Sequence, residues 1–265
     1  MSRFLEARRR LGPRIDRETG RPGSRPVRRV ESHSIATSTL AVVAILALMT
    51  SLSATTLAAA DCEDSAEPGV DWSGCQKEHL ILRGLDMAKA RLAGADLSAT
   101  DFMEADLAGA DLVGATLARA RLRKANLAGA KLEKAHAYRA DFREADLSGA
   151  SLVKAEFDRA NLTGARLSKA DLTKINLGRA ILTDADLTGA SLAGAYLARA
   201  DLGRAKVAGA DFAEAYFLLT RIEGTDLSAA TGLEQRQIDE TCGDDDTKLP
   251  AGLVAPSGWP CLEEE

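Results

Sequence analysis

Large apolar residues recur along this chain at a fixed interval of five residues. From Leu82 to Leu227 every fifth residue is leucine, phenylalanine, methionine, isoleucine or valine, with Ala137 as the exception. The residue two places earlier is small and in most repeats is alanine. We call the large residue the ladder position and the small residue the small position. The outward position lies between them, and the first and second corner positions follow the ladder position.

A period of five does not fit a regular helix or strand. On an α-helix five residues advance by about 500°, so the ladder residues would spiral around the helix. On a strand an odd period would send successive ladder residues to opposite faces. The pattern fits a chain that is extended up to the ladder position and then turns at the two corner positions. Each repeat is then one side of a coil, and the coils must stack because a single coil leaves its ladder residues exposed above and below.

The second corner position indicates how many sides close one coil. Arginine recurs there in every fourth repeat, and only Arg204 lies off the series. These arginines, called the arginine stripe below, are Arg119, Arg139, Arg159, Arg179 and Arg199. The interval predicts four repeats per coil. Glycine also recurs at this position, where it suits a type II turn with positive φ, so we expect the arginine corners to use a different turn type.

Short motifs inside the repeats resemble a known family. Ala-Asp-Leu at 95–97, 105–107 and 185–187, and Ala-Asn-Leu at 125–127, resemble the signature of pentapeptide-repeat proteins. The resemblance covers residues 82–230 and implies an all-β solenoid, a right-handed quadrilateral β-helix of about seven coils with leucine and phenylalanine stacked inside. Ladder residues expected in this stack include Leu107, Leu127, Phe142, Phe157, Leu177, Leu197 and Phe217. The tail around Trp259 resembles that of exported bacterial members.

Ala137 is the one small residue at a ladder position. With four sides per coil, its stacked neighbours are Leu117 and Phe157. We expect the Phe157 ring to lean into the space that Ala137 leaves, because cores are close-packed. A small void near Ala137 is the alternative.

The N-terminal segments predict export. Residues 34–60 contain no charged residue, follow Arg28 and Arg29, and end in three alanines before Asp61. A basic flank, an apolar centre and small terminal residues are typical of a cleaved signal peptide, and an uncleaved membrane anchor is the alternative. Both place residue 61 onward outside the cytoplasm: cleavage gives a periplasmic or secreted protein, and the alternative gives a protein anchored by residues 35–60. Residues 1–33 are read either as a basic disordered leader or as an over-called start.

All four cysteines follow the predicted signal peptide. Cys62 with Cys75, and Cys242 with Cys261, would each close a short loop, so we expect these two disulfides in an oxidising compartment. Free thiols are the alternative. A zinc site is disfavoured because no two cysteines have the C-x-x-C spacing.

Stacked coils have two open ends that need caps. Residues 61–81 are expected to form the N-terminal cap, with Trp72 folded over the first coil. Residues 231–265 are expected to form the C-terminal cap. This cap would contain a short helix over Leu233–Thr241 that Gly243 stops, followed by a tail in which Trp259 lies across the last coil.

The sequence contains no recognisable catalytic or metal-binding constellation. His136 is the only histidine in the repeats and lies at an outward position, so we read it as a surface residue. The Asp244-Asp245-Asp246 run lacks the spacing of a calcium loop and is read as solvated charge. No phosphate-binding loop or dinucleotide motif is present. We expect no enzymatic activity, no cofactor and no metal.

The net charge of −5 is unevenly distributed along the chain. Residues 82–230 carry 21 basic and 20 acidic residues, whereas the segments on either side, 61–81 and 231–265, are acidic. The arginine stripe and a lysine column one corner earlier (Lys134, Lys154, Lys174) suggest a basic stripe that docks an anionic polymer or membrane surface. Solvated arginines without a partner are the alternative. We expect Asp141 and Asp201 to neutralise part of this stripe.

These observations favour a non-enzymatic exported scaffold or interaction module. It would present a rigid surface to an unknown protein or an anionic envelope surface, with no small-molecule substrate and no nucleic acid. The family resemblance implies an alternative, a DNA-mimicking protein that protects topoisomerases. Such members resemble acidic rods, so the near-neutral repeats and the export signal disfavour this alternative.

Overall fold

The computed structural model describes residues 61–259 and shows a stack of four-sided coils. From Asp71 to Asp211, each outward residue forms a parallel single-residue bridge with the outward residue four repeats later, as in Asp96 with Thr116. The series that starts at Asp71 reaches Thr231 in eight steps, each of which crosses one coil. Regular strands are short because each extended stretch is interrupted by a corner.

Three regular elements lie at the C-terminal end of the described region. They are β1 (Thr220–Arg221), α1 (Gln235–Ile238) and β2 (Thr241–Cys242). β1 and β2 pair in parallel, with Thr220 opposite Thr241. The predicted helix over Leu233–Thr241 is too long: α1 ends at Ile238, with Asp239 as its C-cap, and Gly243 does not stop it. Parallel pairing with β1 draws Thr241 and Cys242 into a strand.

Backbone hydrogen bonds explain why the coils stack in a fixed register. In the repeat 107–111, Leu107 and Gly109 donate to carbonyls of the next coil, and Asp111 donates to a carbonyl of the preceding coil. Ala110 donates to the Leu107 carbonyl at 3.0 Å and closes the corner. Four of the five N–H groups of the repeat are therefore bonded through the backbone.

The aspartate or asparagine at many outward positions binds the remaining N–H group. The Ala108 amide donates to Asp106 Oδ1 at 2.9 Å, and the Ala128 amide donates to Asn126 Oδ1 at 3.1 Å. The same contact recurs along the stack, for example from Gly203 to Asp201 at 2.8 Å. These side chains stabilise the corner as local caps, so their abundance follows from the fold and gives no information about catalysis.

The arginine corners do not use a different turn type, so this expectation is wrong. Arg119 has a φ of 57° and Arg179 also has 57°, close to the 64° of Gly109. The left-handed conformation costs a non-glycine residue about 1–2 kcal/mol. The fold imposes this conformation because each second-corner amide donates to a carbonyl of the next coil. The Arg119 amide, for example, donates to the Tyr138 carbonyl at 2.9 Å.

The ladder side chains form one continuous core. The predicted ladder residues are fully or almost fully buried, and so is Ala137. Phe157 stacks on Phe142, the ladder residue that follows Ala137 on the same coil, with ring centroids 5.0 Å apart. Three small positions hold threonine, and Thr220 Oγ1 donates to the Leu197 carbonyl at 2.8 Å. Inward threonines are therefore tolerated because their hydroxyls are bonded.

The β-helix starts earlier than the predicted boundary at residue 82. Trp72 is buried at a ladder position, and its amide donates to the Arg91 carbonyl at 2.8 Å. It therefore belongs to the first coil and does not cover it. Its indole Nε1 donates to the Asp64 carbonyl at 3.1 Å. Cys62 and Cys75 form the predicted disulfide, which ties the preceding segment to this coil.

The C-terminal tail returns to the stack through Trp259. Its indole Nε1 donates to the Thr241 carbonyl at 2.7 Å. A side chain at Gly243 would meet the indole ring at 2.5 Å, so only glycine leaves room for the ring. The expected Cys242–Cys261 disulfide includes a residue outside the described part and stays a prediction.

The leader (1–33) and the signal segment (34–60) also lie outside the described residues. Within residues 61–259, no helix has the length and apolar character needed to cross a bilayer.

Candidate binding face

The arginine stripe borders one of the four faces of the β-helix. The face is defined by its outward residues His136, Glu156, Asn176, Tyr196 and Tyr216, which bridge one another in series. The corner before it carries the lysine column, and the corner after it carries the stripe. We call this surface the arginine face.

The arginines of the stripe differ from every other arginine in the described region. Nine arginines outside the stripe form ion pairs with carboxylates: Arg83, Arg91, Arg121, Arg123, Arg143, Arg166, Arg204, Arg221 and Arg236. Within residues 61–259, none of the five stripe arginines has an ion pair or a side-chain hydrogen bond, although all are exposed. The unpaired guanidinium groups are thus concentrated on one face.

Arg204 shows what a second-corner arginine does when a carboxylate is within reach. It binds Asp184, one coil earlier at the same position, with 2.9 Å between Nε and Oδ1. Its hydrogen bond lowers the pKa of the Asp184 carboxyl, and the same bond raises the pKa of Arg204. In the stripe, from Arg139 onward, the equivalent neighbour one coil earlier is another arginine, so no such pair forms.

Asp141 and Asp201 do not neutralise the stripe, contrary to expectation. Asp141 binds Arg143 at 2.6 Å. Burial raises the pKa of Asp141, but the Arg143 hydrogen bonds outweigh it and hold this pKa below its usual value. Asp201 instead accepts the Gly203 amide. Both carboxylates are held at their own corner, away from the preceding arginine.

Acidic groups of the arginine face are bound to neighbours other than the arginines. His136 Nδ1 lies 2.9 Å from Glu156 Oε2, and Asn176 Nδ2 donates to Asp158 Oδ2 at 2.7 Å. His136 is a surface residue, as predicted. The carboxylates keep some negative charge within the face, so it is basic at its edges and mixed at its centre.

A hollow interrupts the arginine face above Gly178. It has a volume of about 270 Å³. Its lining includes Asp158, Gly178, Tyr196, Leu218 and three stripe arginines, Arg159, Arg179 and Arg199. Gly178 occupies the first corner position, where the other coils of this face carry Tyr138, Asp158, Ala198 and Leu218. Gly178 is therefore the one first-corner residue of this face without a side chain.

Exposed apolar side chains continue the face towards the C-terminal end. Tyr196 and Tyr216 stack with ring centroids 5.3 Å apart. They are 46% and 44% exposed, and Leu218 and Leu219 are also exposed. Neither the hollow nor these tyrosines are predicted from the sequence, although the four-repeat spacing of the two tyrosines is a visible signal.

Asp244, the first residue of the acidic run near the C-terminus, is part of the fold, whereas Asp245 and Asp246 are exposed as expected. Asp244 accepts hydrogen bonds from the Gly224 amide at 2.9 Å and from Thr247 Oγ1 at 2.8 Å. The Gly224 hydrogen bond lowers the pKa of Asp244, so this residue is not merely solvated. In the described part of the chain, no histidine, cysteine, aspartate and glutamate side chains cluster in a way that could hold a metal ion.

The comparisons with known proteins identify the family. The model of the family described as pentapeptide repeats matches eight copies, over residues 73–107, 100–136, 140–179, 180–217 and 195–231. The chain belongs to the pentapeptide-repeat family. Its right-handed quadrilateral β-helix is the family's fold, as the sequence predicted.

Solved structures of the family are similar to this chain. HetL, involved in heterocyst differentiation regulation in the cyanobacterium Nostoc sp. strain PCC 7120, is 30% identical, with 71% of this chain and 86% of HetL covered and a TM-score of 0.39. QnrB1, a plasmid-mediated fluoroquinolone resistance protein, is 21% identical, with coverage of 66% and 92% and a TM-score of 0.49. A thylakoid-lumen protein of Arabidopsis thaliana is 25% identical, with coverage of 49% and 82% and a TM-score of 0.30. No curated protein matches the chain.

Proposed function

We propose that this pentapeptide-repeat protein is an exported, non-enzymatic interaction module that binds a partner with anionic groups through the arginine face. The observation that carries the proposal is the contrast between the five unpaired stripe arginines and the nine ion-paired arginines elsewhere in residues 61–259. Exposed like charges at neighbouring corners repel one another, and a partner carboxylate or phosphate would relieve this repulsion.

Charge-assisted hydrogen bonds from arginine give such a face both affinity and orientation. The rigid stack fixes the spacing of the guanidinium groups before binding, which lowers the entropic cost of association. Export is supported by the apolar segment before residue 61 and by the Cys62–Cys75 disulfide, because disulfides persist mainly in oxidising compartments.

The test compares two triple variants in a pull-down from an envelope extract. Arg139→Gln, Arg159→Gln and Arg179→Gln remove three unpaired stripe charges. Arg121→Gln, Arg166→Gln and Arg204→Gln remove three ion-paired charges and serve as the matched control. We expect the stripe variant alone to lose the bound partner, and the wild-type interaction to weaken with added salt. Equal capture by the two variants would refute the proposal.

Export is tested separately by cell fractionation and by mass spectrometry of the mature N-terminus. We expect an extracytoplasmic protein that starts near Asp61. A cytoplasmic protein with an intact N-terminus would contradict this part of the proposal.

The DNA-mimic alternative can be tested in the same preparation. A duplex mimic needs a surface dominated by negative charge, whereas the arginine face is bordered by two basic columns. We expect no protection of a topoisomerase in a supercoiling assay with a fluoroquinolone present.

A further inference from the structure

The backbone conformation of Gly178 on the arginine face does not require glycine. The second-corner glycines have positive φ, but Gly178 lies at a first corner and does not. Its backbone conformation therefore allows a side chain, and four other coils carry one there. An added Cβ would lie 2.9 Å from Asp158 Oδ1 and 3.2 Å from Tyr196 Cε1, so these two side chains would have to move aside for it.

The same face shows which group fits beside a stripe arginine. Two coils earlier, the Tyr138 ring lies at the first corner with the Arg139 guanidinium 5.1 Å from its centroid. Cations favour such positions over an aromatic face. At Gly178 the ring is missing, while Arg179 still follows at the second corner. The hollow, which Arg179 borders, therefore offers a cation to an aromatic side chain from outside.

The other residues that line the hollow also suit a ligand in which acidic groups flank an aromatic ring. Tyr196 and Leu218 supply apolar surface, and Arg159, Arg179 and Arg199 have no carboxylate partner in the described structure. Asp158 and Glu156 lie among these groups, and they would repel a uniformly anionic surface. A ligand that alternates acidic and aromatic groups avoids this conflict, because its ring can lie over the centre and its carboxylates over the edge.

We propose that the arginine face binds an extended acidic segment of a partner protein, with an aromatic side chain of that segment in the hollow above Gly178 and its carboxylates on Arg159, Arg179 and Arg199. This inference rests on the proposed function and assigns it a ligand class. It selects a protein segment over a membrane surface or a simple anionic polymer.

The test uses the full chain and three defined probes. The probes are a copolymer of glutamate and tyrosine, polyglutamate, and phosphatidylcholine vesicles that contain phosphatidylglycerol. We expect the copolymer to bind about tenfold more tightly than polyglutamate, since one cation–aromatic contact in a desolvated site is worth that much. Equal affinity for the two polymers, or tighter binding to the vesicles, would overturn the inference.

Filling the hollow gives the decisive variant. Gly178→Tyr should reduce copolymer affinity to that of polyglutamate and leave polyglutamate binding unchanged, because all the arginines remain. Gly203→Tyr is the matched control, since Gly203 is also a first-corner glycine without positive φ, and an added Cβ there would lie 3.0 Å from Asp201 Oδ1. If Gly178→Tyr does not fold, Gly178→Leu replaces it in the test. Leucine already occupies this first-corner position two coils later, at Leu218.

The outcomes separate this inference from the proposed function. If the stripe variant loses copolymer binding and the Gly178 variants do not, the arginine face binds anions but the hollow has no role. If no variant changes binding, both proposals fail.

Discussion

The rings of Phe142 and Phe157 stack inside the β-helix with their centroids 5.0 Å apart. Phe142 follows the small ladder residue Ala137 on one coil, and Phe157 lies on the next coil at the position above Ala137. Both rings are fully buried. The two rings therefore contact each other next to the small ladder residue, and the entry of Phe157 into the space above Ala137 stays a prediction.

Phe157→Ala should be among the more costly core substitutions. We expect a loss of about 3–5 kcal/mol in the free energy of unfolding, because the ring leaves a cavity and Phe142 loses its stacking partner. Phe157→Leu should cost less, since leucine occupies most other ladder positions. Denaturant unfolding measures both, and a loss below about 1 kcal/mol for the alanine variant would show that the ring is not tightly packed.

The left-handed corners predict opposite effects for two substitutions. Gly129 has a φ of 65° and no atom within 4 Å of an added Cβ, so Gly129→Ala tests the conformation alone. We expect it to destabilise the protein by about 1 kcal/mol. Lys169→Gly, at a φ of 58°, should be neutral or stabilising by less than about 1 kcal/mol. Equal effects of the two substitutions on thermal unfolding would contradict this account.

The charge of the stripe should lower the stability of the free protein. Arg159 has an unpaired arginine on each neighbouring coil, so Arg159→Gln should stabilise by up to about 1 kcal/mol at low salt and by less at high salt. Arg204→Gln should have no stabilising effect, because Arg204 is bound to Asp184. Thermal unfolding at two salt concentrations distinguishes the variants. A stabilisation by Arg159→Gln that does not change with salt concentration would show that repulsion between the arginines is not its cause.

The disulfide should stabilise the first coil more than the rest of the stack. Cys62→Ser with Cys75→Ser removes a crosslink with a sequence separation of 13 residues, which is worth about 3 kcal/mol in the chain-entropy model. Since repeats interact mainly with their neighbours, we expect faster hydrogen exchange near Trp72 and little change near Phe157. Uniform loss of protection along the stack would show that the ends and centre unfold together.

Acid should weaken the first coil through Asp71. The Ser73 and Arg91 hydrogen bonds lower the pKa of Asp71 from 3.8 to about 2. The contribution of a carboxyl with a lowered pKa is complete above its unfolded value and is lost as the pH falls towards the folded value. The loss should therefore occur between pH 3.8 and about 2.

Asp71→Asn tests this pH dependence, because asparagine can still accept the Ser73 amide but cannot carry the charge. We expect the variant to have a less stable first coil than wild type at pH 7 and an equally stable one at about pH 2. Trp72 fluorescence, with Trp259→Phe in both proteins, reports the opening of this coil. A difference that persists unchanged at the lower pH would point to a cause other than ionisation.

The coil could be predicted from the amino-acid sequence. The five-residue interval, the buried ladder and the four-repeat coil follow from the need to bury Leu, Phe and Met side chains in a chain that bends at every repeat. Local sequence also predicted the family and the Cys62–Cys75 pairing. It did not predict the start of the first coil at Trp72 or the end of α1 at Ile238, because both depend on hydrogen bonds to another coil.

The contacts between coils determine which charges have no ion-pair partner and where the arginine face has a hollow. Arg204 forms an ion pair because Asp184 lies one coil away, whereas Arg179 has another arginine there. Asp141 forms its ion pair with Arg143 and not with Arg139. The role of Gly178 likewise appears only when Tyr138 and Leu218 are placed in its column. Residues that are four repeats apart in the chain become neighbours through the stacking, so these contacts are set by cross-coil distance and not by local sequence.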